Sequence, residues 1–286
     1  MKRKTMYLLL ILLLCGILAL YLFVDLRQRD QQPPTISFSD VLPEFSVQDS
    51  GNALLQGVSA RDNIDGDVTD SVVVASVRLT DADGSIEVTY AAFDKAGNVS
   101  QAVRAAKYTD YQSPRFSLKQ SLTFASNTEV DMFHIVKAMD VVDGDISHRV
   151  RVASMESSLD NGEGTHQVQL TVSNSLGETV SLTVPVEVYA TGSYEATLTL
   201  TDYLVYLPAG SKLDTARYMK EYIRGNVRHS LKNNVPEDCR VEIKSNVQLD
   251  VPGVYAVEYR VTQTVGEGRG AVGYTGYAKL LVVVEG

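Results

Sequence analysis

Ala60-Arg-Asp-Asn-Ile-Asp-Gly-Asp-Val68 and Ala138-Met-Asp-Val-Val-Asp-Gly-Asp-Ile146 are the same turn written twice, about eighty residues apart. A third version, Tyr222-Ile-Arg-Gly-Asn-Val227, keeps the glycine and loses both carboxylates. Downstream of each lies a glycine pair enclosing a large side chain: Gly84/Tyr90/Gly97, Gly164/Leu170/Gly177 and Gly253/Tyr259/Gly266. The spacing inside that second element is identical in all three copies. An internal repeat of this length sets the architecture before any single element is assigned. The expected layout is repeat one over 34–110, repeat two over 113–190 and a divergent repeat three over 192–286.

Outward from the turns, apolar residues fall at every second position in Thr35-Ile-Ser-Phe-Ser39, Ser85-Ile-Glu-Val-Thr-Tyr-Ala91, His166-Gln-Val-Gln-Leu-Thr-Val172 and Thr179-Val-Ser-Leu-Thr-Val184. That is the period of a half-buried strand. Asp83-Gly84 and Ala96-Gly97-Asn98 punctuate the strands as turns. Short strands at regular intervals with little helix predict an all-β chain of tandem immunoglobulin-like sandwiches. Repeat three departs over Leu213-Asp-Thr-Ala-Arg-Tyr-Met-Lys-Glu-Tyr-Ile223. Asp214 is a natural N-cap, and Leu213, Tyr218, Tyr222 and Ile223 suit one helical face, so a short helix is expected there.

Asp-Asn-Ile-Asp-Gly-Asp-Val-Thr69, the later Gly-x-x-x-Val-x-Tyr90 and Phe-Asp-Lys-Ala-Gly-Asn98 resemble the bacterial immunoglobulin-like repeats of cell-surface proteins, a module type also found in pesticidal crystal proteins. Repeat two keeps Val-Asp-Gly-Asp-Ile146 but has Leu170 for the tyrosine and Asn-Ser-Leu-Gly-Glu178 for the last motif. Repeat three keeps Gly-Val-Tyr-Ala-Val-Glu-Tyr259 and has Arg-Gly-Asn226 for Asp-Gly-Asp. The resemblance implies a sandwich fold on a bacterial, Gram-positive surface. It implies no particular activity, because such folds host many functions.

The N-terminus carries Lys2-Arg3-Lys4 before an apolar run from Met6 to Val24 that ends at Asp25. The run is long enough to cross a bilayer, and its cationic flank places residues 1–5 in the cytoplasm. Segment 6–24 is therefore read as an uncleaved single-pass anchor and 25–33 as an extended linker. Cys15 is preceded by Leu14, where lipoprotein processing calls for a small side chain. Cys239 is the only cysteine beyond the anchor, so the exported part has no internal disulfide. Residues 25–191 hold 12 basic and 24 acidic residues, whereas 192–286 hold 11 of each. Such an acidic stretch repels nucleic acid, which is excluded as a partner.

Two sets of residues stand as candidate sites. Asp62, Asp65 and Asp67, with Asp140, Asp143 and Asp145, offer clustered carboxylates of the kind calcium takes. The alternative is a structural turn, in which glycine supplies a positive φ and the aspartates cap nearby amides. Loss of both carboxylates in repeat three favours the turn. The second set is Arg269, Tyr274 and Tyr277, in the glycine-rich stretch Gly266–Tyr277, expected to be a loop able to bind a ligand. Nine of the fifteen tyrosines lie in 192–286. The four histidines belong to no nucleophile, metal or acid–base signature, so no enzyme activity and no obligatory cofactor are expected. The sequence thus predicts a membrane-anchored extracellular protein whose acidic spacer repeats present a distal domain to cell-wall glycan or a surface protein. The alternatives are a structural subunit of an envelope complex and a calcium-rigidified stalk.

Overall fold

The computed structural model describes residues 2–28, 30–39, 41–126, 130–155, 163–189, 195–232, 235–266 and 268–286. The chain divides into two compact units, Met1–Tyr111 and Gln112–Gly286.

The first unit opens with helix α1, Lys2–Gln28, which covers the expected anchor. The side chains of 2–5, 9 and 22–28 lie outside the described residues. Among the described residues, no helix is long and apolar enough to cross a membrane. The rest of the unit is a sandwich. One sheet pairs Thr35–Phe38, Val58–Asp62 and Gly66–Asp67. The other orders Glu44–Phe45, Val99–Tyr108, Ser85–Phe93 and Val73–Leu79, with the two-residue edge strand running parallel to its neighbour. The alternation in Ser85–Phe93 sends Ile86, Val88 and Tyr90 into the core. Full burial of each such side chain contributes about 1.5–3 kcal/mol. The Tyr90 hydroxyl donates to the Leu54 carbonyl at 2.7 Å, so its polar tip is satisfied inside the core.

The second unit repeats this plan twice. Its first sandwich pairs Arg115–Leu118, Val136–Asp140 and Gly144–Asp145 against Thr123–Ala125, Thr179–Tyr189, Gly164–Ser173 and Arg151–Met155. Its second pairs Thr197–Leu200, Met219–Arg224 and Val227–Ser230 against Leu204–Pro208, Val272–Glu285, Gly253–Val265 and Cys239–Ser245. Each again has one parallel edge, Glu187 opposite Thr123 and Leu204 opposite Leu281. Three copies of one strand order, including that parallel edge, establish the chain as all-β sandwiches. Tyr90, Leu170 and Tyr259, enclosed by the glycine pairs, are all fully buried at the same place.

Repeat three has no helix over Leu213–Ile223. A single 3-10 turn, Ala216–Tyr218, leads into the strand Met219–Arg224. The register against Thr197–Leu200 slips at Thr199/Leu200, so Met219 and Tyr222 both point inward although three residues apart. A β-bulge therefore reproduced the spacing of a helical face. Sheet pairing on both sides of the strand then outweighs a weak local helix preference.

Each sandwich of the second unit has its own core, and repeat three reaches into that of repeat two. Leu204 and Leu281, from repeat three, are buried in the repeat-two cluster with Phe116, Ile135 and Val186. The Tyr206 hydroxyl accepts a hydrogen bond from the Phe116 amide at 3.0 Å, and Arg115 grips both Glu285 oxygens at 2.7 and 2.8 Å. The seam is thus packed, hydrogen-bonded and ion-paired.

Candidate functional site

A cleft of about 510 Å³ opens along this seam. Thr123, Glu187 and Tyr189 line it from repeat two; Glu195, Glu258, Thr275, Tyr277 and Lys279 line it from repeat three. One wall is made by the long strand Val272–Glu285; its sheet neighbour Gly253–Val265 supplies Glu258, and Thr179–Tyr189 of repeat two supplies Glu187 and Tyr189. The Tyr189 and Tyr277 rings lie 5.8 Å apart at 46°, and Tyr277 is 45% exposed. Burial first, then the Glu195 carboxylate, raises the Tyr189 pKa, which keeps its hydroxyl a neutral donor. Lys279 holds Glu187 at 2.5 Å and Glu258 at 3.4 Å. The cleft therefore offers aromatic faces beside fixed carboxylates and one ammonium. Such a surface suits a ligand with an apolar face and many hydroxyls or amines.

The expected loop residues fall differently from the sequence reading. Tyr274 and Tyr277 sit in the strand Val272–Glu285, opposite Gln263 and Arg260, and the connection shrinks to a 3-10 turn at Gly268–Gly270. Glycines here let the paired backbones approach other chain: a Cβ at Gly276 would stand 3.1 Å from the Ala196 carbonyl oxygen. The Arg224 guanidinium covers the Tyr274 ring at 5.0 Å, whereas Tyr277 faces the cleft beneath Arg260 at 5.6 Å. The Arg269 side chain lies outside the described residues.

The Asp-Gly-Asp segments are tight turns. Gly66 has φ +76° and Gly144 φ +71°, a region that side-chain-bearing residues avoid. Asp62 Oδ1 accepts from the Ile64 and Asp65 amides at 2.8 Å, and Asp140 Oδ1 from Val142 and Asp143. Asp67 and Asp145 cap Thr69 and Ser147, which lowers both carboxyl pKa values. Asp65 receives the Lys95 amide and ammonium, and Asp143 receives Ser175 and Arg149. The three aspartates of a turn thus serve different partners. Asp62 instead faces Asp30 and Asp94. That trio is the one group of three metal-ligating side chains whose donor atoms converge among the described residues.

No family model matches the chain, and no curated protein does. Solved structures match at low identity. A Clostridium perfringens ZmpB structure, CBM51-2 with GlcNAc and INT domains, is 14% identical over 60% of this chain and 41% of its own, with TM-score 0.27. Protocadherin Gamma B2 cadherin domains 1–5 are 12% identical over 89% of this chain and 60% of their own, with TM-score 0.19. Drosophila N-cadherin EC1-4 is 12% identical over 90% and 76%, with TM-score 0.21. The chain thus spans under two thirds of the first two. The sandwich assignment rests on the chain's own strand pairing.

Sequence reasoning missed Glu187, Tyr189, Glu195, Glu258 and Lys279 because the cleft exists only where two repeats meet. One signal was present: Lys279 stands alone as a charge inside Ala278-Lys-Leu-Leu-Val-Val-Val284. Such a lysine in a buried run needs a carboxylate partner.

Proposed function

We propose that this chain is a non-enzymatic, membrane-anchored extracellular protein of the bacterial immunoglobulin-like repeat type, akin to modules of pesticidal crystal proteins. Its N-terminus lies in the cytoplasm and its sandwiches outside the cell. The seam cleft binds cell-wall glycan, and the first sandwich serves as a spacer. The observation that carries this reading is the Tyr189/Tyr277 ring pair set among Glu187, Glu195 and Glu258 in one cleft. A sugar ring can stack on tyrosine while its hydroxyls bond to carboxylates. The anchor is supported by α1, where, among the described side chains, Leu8, Ile11, Leu12, Leu14, Ile17, Leu18 and Leu20 are exposed and no polar face is set against them.

The test is cosedimentation of the detergent-purified full chain with isolated cell walls. The wild type is expected to pellet. Tyr277→Ala, at an exposed strand position, is expected to bind roughly tenfold more weakly, a change of about 1–2 kcal/mol. A wild type that stays in the supernatant removes the glycan reading and turns the search to a surface protein partner.

A further inference from the structure

We propose that Asp30, Asp62 and Asp94 form a divalent-cation site, suited to calcium, that fastens the segment following α1 to the first sandwich. Each residue offers one carboxylate oxygen, and these oxygens lie within 4.8 Å of one another. They come from three separate places in the unit: two residues beyond α1, the end of the strand Val58–Asp62 and the turn after Ser85–Phe93. Asp62 is only 4% exposed. Its Oδ1 is engaged by two backbone amides, while its Oδ2 is shielded from solvent with no partner among the described residues. Asp30 Oδ2 is likewise shielded and without a partner among them. Two orphaned carboxylate oxygens beside a third carboxylate are costly in a protein interior unless a positive charge sits between them.

The cluster is also held in shape. Asn98 donates its amide to Asp94 Oδ1 and its Nδ2 to Asp94 Oδ2, both at 2.7 Å. The same Nδ2 lies 3.1 Å from the Asp30 carbonyl oxygen, so one residue positions two of the three ligands. The adjacent Lys95 is directed to Asp65 instead, its ammonium 3.3 Å from Asp65 Oδ1.

Repeat two supplies the internal control. Asn174 stands where repeat one has Asp94: each begins the turn closed by Gly177 or Gly97, with the same backbone hydrogen bond. Asn174 Nδ2 reaches Asp140 Oδ2 at 3.2 Å, the atom that corresponds to the orphaned Asp62 Oδ2. An amide donor there satisfies the buried oxygen. Repeat one has a carboxylate in its place, which cannot donate when ionised and calls for a cation. The donors are all hard oxygens, one from each of the three carboxylates. Calcium accepts such sets in irregular geometry, whereas magnesium demands a near-ideal octahedron.

The experiment uses the full chain in detergent, stripped with chelator and titrated with calcium alone. Thermal unfolding and calorimetric heat are the readouts. A saturable rise in melting temperature is expected, with a dissociation constant on the order of 0.1–1 mM, as for extracellular modules. Asp94→Asn should abolish the response and, without calcium, melt no lower than the wild type, since its amide can serve Asp62 as Asn174 serves Asp140. Asp30→Asn, outside the sandwich strands, should also abolish the response. Asp67→Asn, in the same turn but outside the trio, should keep it. A wild type with no saturable response overturns the site, as does an Asp94→Asn or Asp30→Asn protein that retains the full shift.

Discussion

Lys279 Nζ sits 2.5 Å from Glu187 Oε2, joining the third repeat to the second across their shared seam. Lys279 is 8% exposed at its side chain, its amide donates to Ser121 Oγ at 2.9 Å, and Glu258 lies 3.4 Å away on the other side. Lys279→Met leaves two carboxylates facing each other with no counter-charge. The expected cost is about 2 kcal/mol in urea unfolding. Adding Glu187→Gln should recover part of it, because the stranded charge is removed along with its partner.

Leu281 belongs to the last strand of repeat three yet is 1% exposed in the core of repeat two. Leu281→Ala is expected to cost about 2–5 kcal/mol. Because Leu281 ties the last strand of repeat three, whose Leu280 and Val282 lie in the repeat-three core, to the core of repeat two, amide exchange should accelerate in Gly164–Ser173 and Gly253–Val265 alike. Acceleration confined to one of these strands would contradict that coupling.

Two glycines separate conformational strain from collision. At Gly66 (φ +76°) an added Cβ meets nothing within 4 Å, so Gly66→Ala should cost only the left-handed backbone penalty of about 1–2 kcal/mol. At Gly84 (φ +90°) the same Cβ would stand 2.2 Å from the Tyr108 carbonyl oxygen. Gly84→Ala must therefore displace backbone and should be the more damaging substitution, as read by the two melting temperatures.

Acid should weaken the second unit through Asp143 and Asp145. Burial works to raise the Asp143 pKa, but Ser175 and Arg149 outweigh it, and the net shift is downward. Asp145 is lowered by the Ser147 hydroxyl and amide. Both folded values lie below the ordinary 3.8, so the unfolded chain binds more protons in the acid range. Their stabilisation is complete above that value and is lost as pH falls through the folded pKa values. The contribution of these two groups to the melting temperature should be full and constant between about pH 7 and 5 and should fall away below about pH 4. Asp143→Asn should lower the neutral-pH value and flatten the acid limb.

The repeat, the sandwich class and the identity of the main core residues were legible in the chain itself. Alternation placed Ile86, Val88 and Tyr90 inward, and the glycine-framed position marked Tyr90, Leu170 and Tyr259. The helix expected over Leu213–Ile223 was not there, since a bulge opposite Thr199/Leu200 makes a strand bury residues at helical spacing. The glycines around Tyr274 and Tyr277 predict a loop. In the fold those glycines let a strand continue close to its neighbours, and pairing with Gln263 and Arg260 holds both tyrosines.

What the sequence determined alone was whatever depends on neighbours along the chain. Strand period, turn glycines and aspartate caps are set within a few residues, because side chains alternate and amides are capped locally. The tertiary structure decided the rest. Asp30, Asp62 and Asp94 are far apart in sequence, and only sandwich closure brings their oxygens within 4.8 Å. Lys279 and Glu187 belong to different repeats, and only packing of Leu204 and Leu281 into the repeat-two core creates the cleft between them. Charge pairs and clefts of this kind arise from distance in space, which no local pattern of residues encodes.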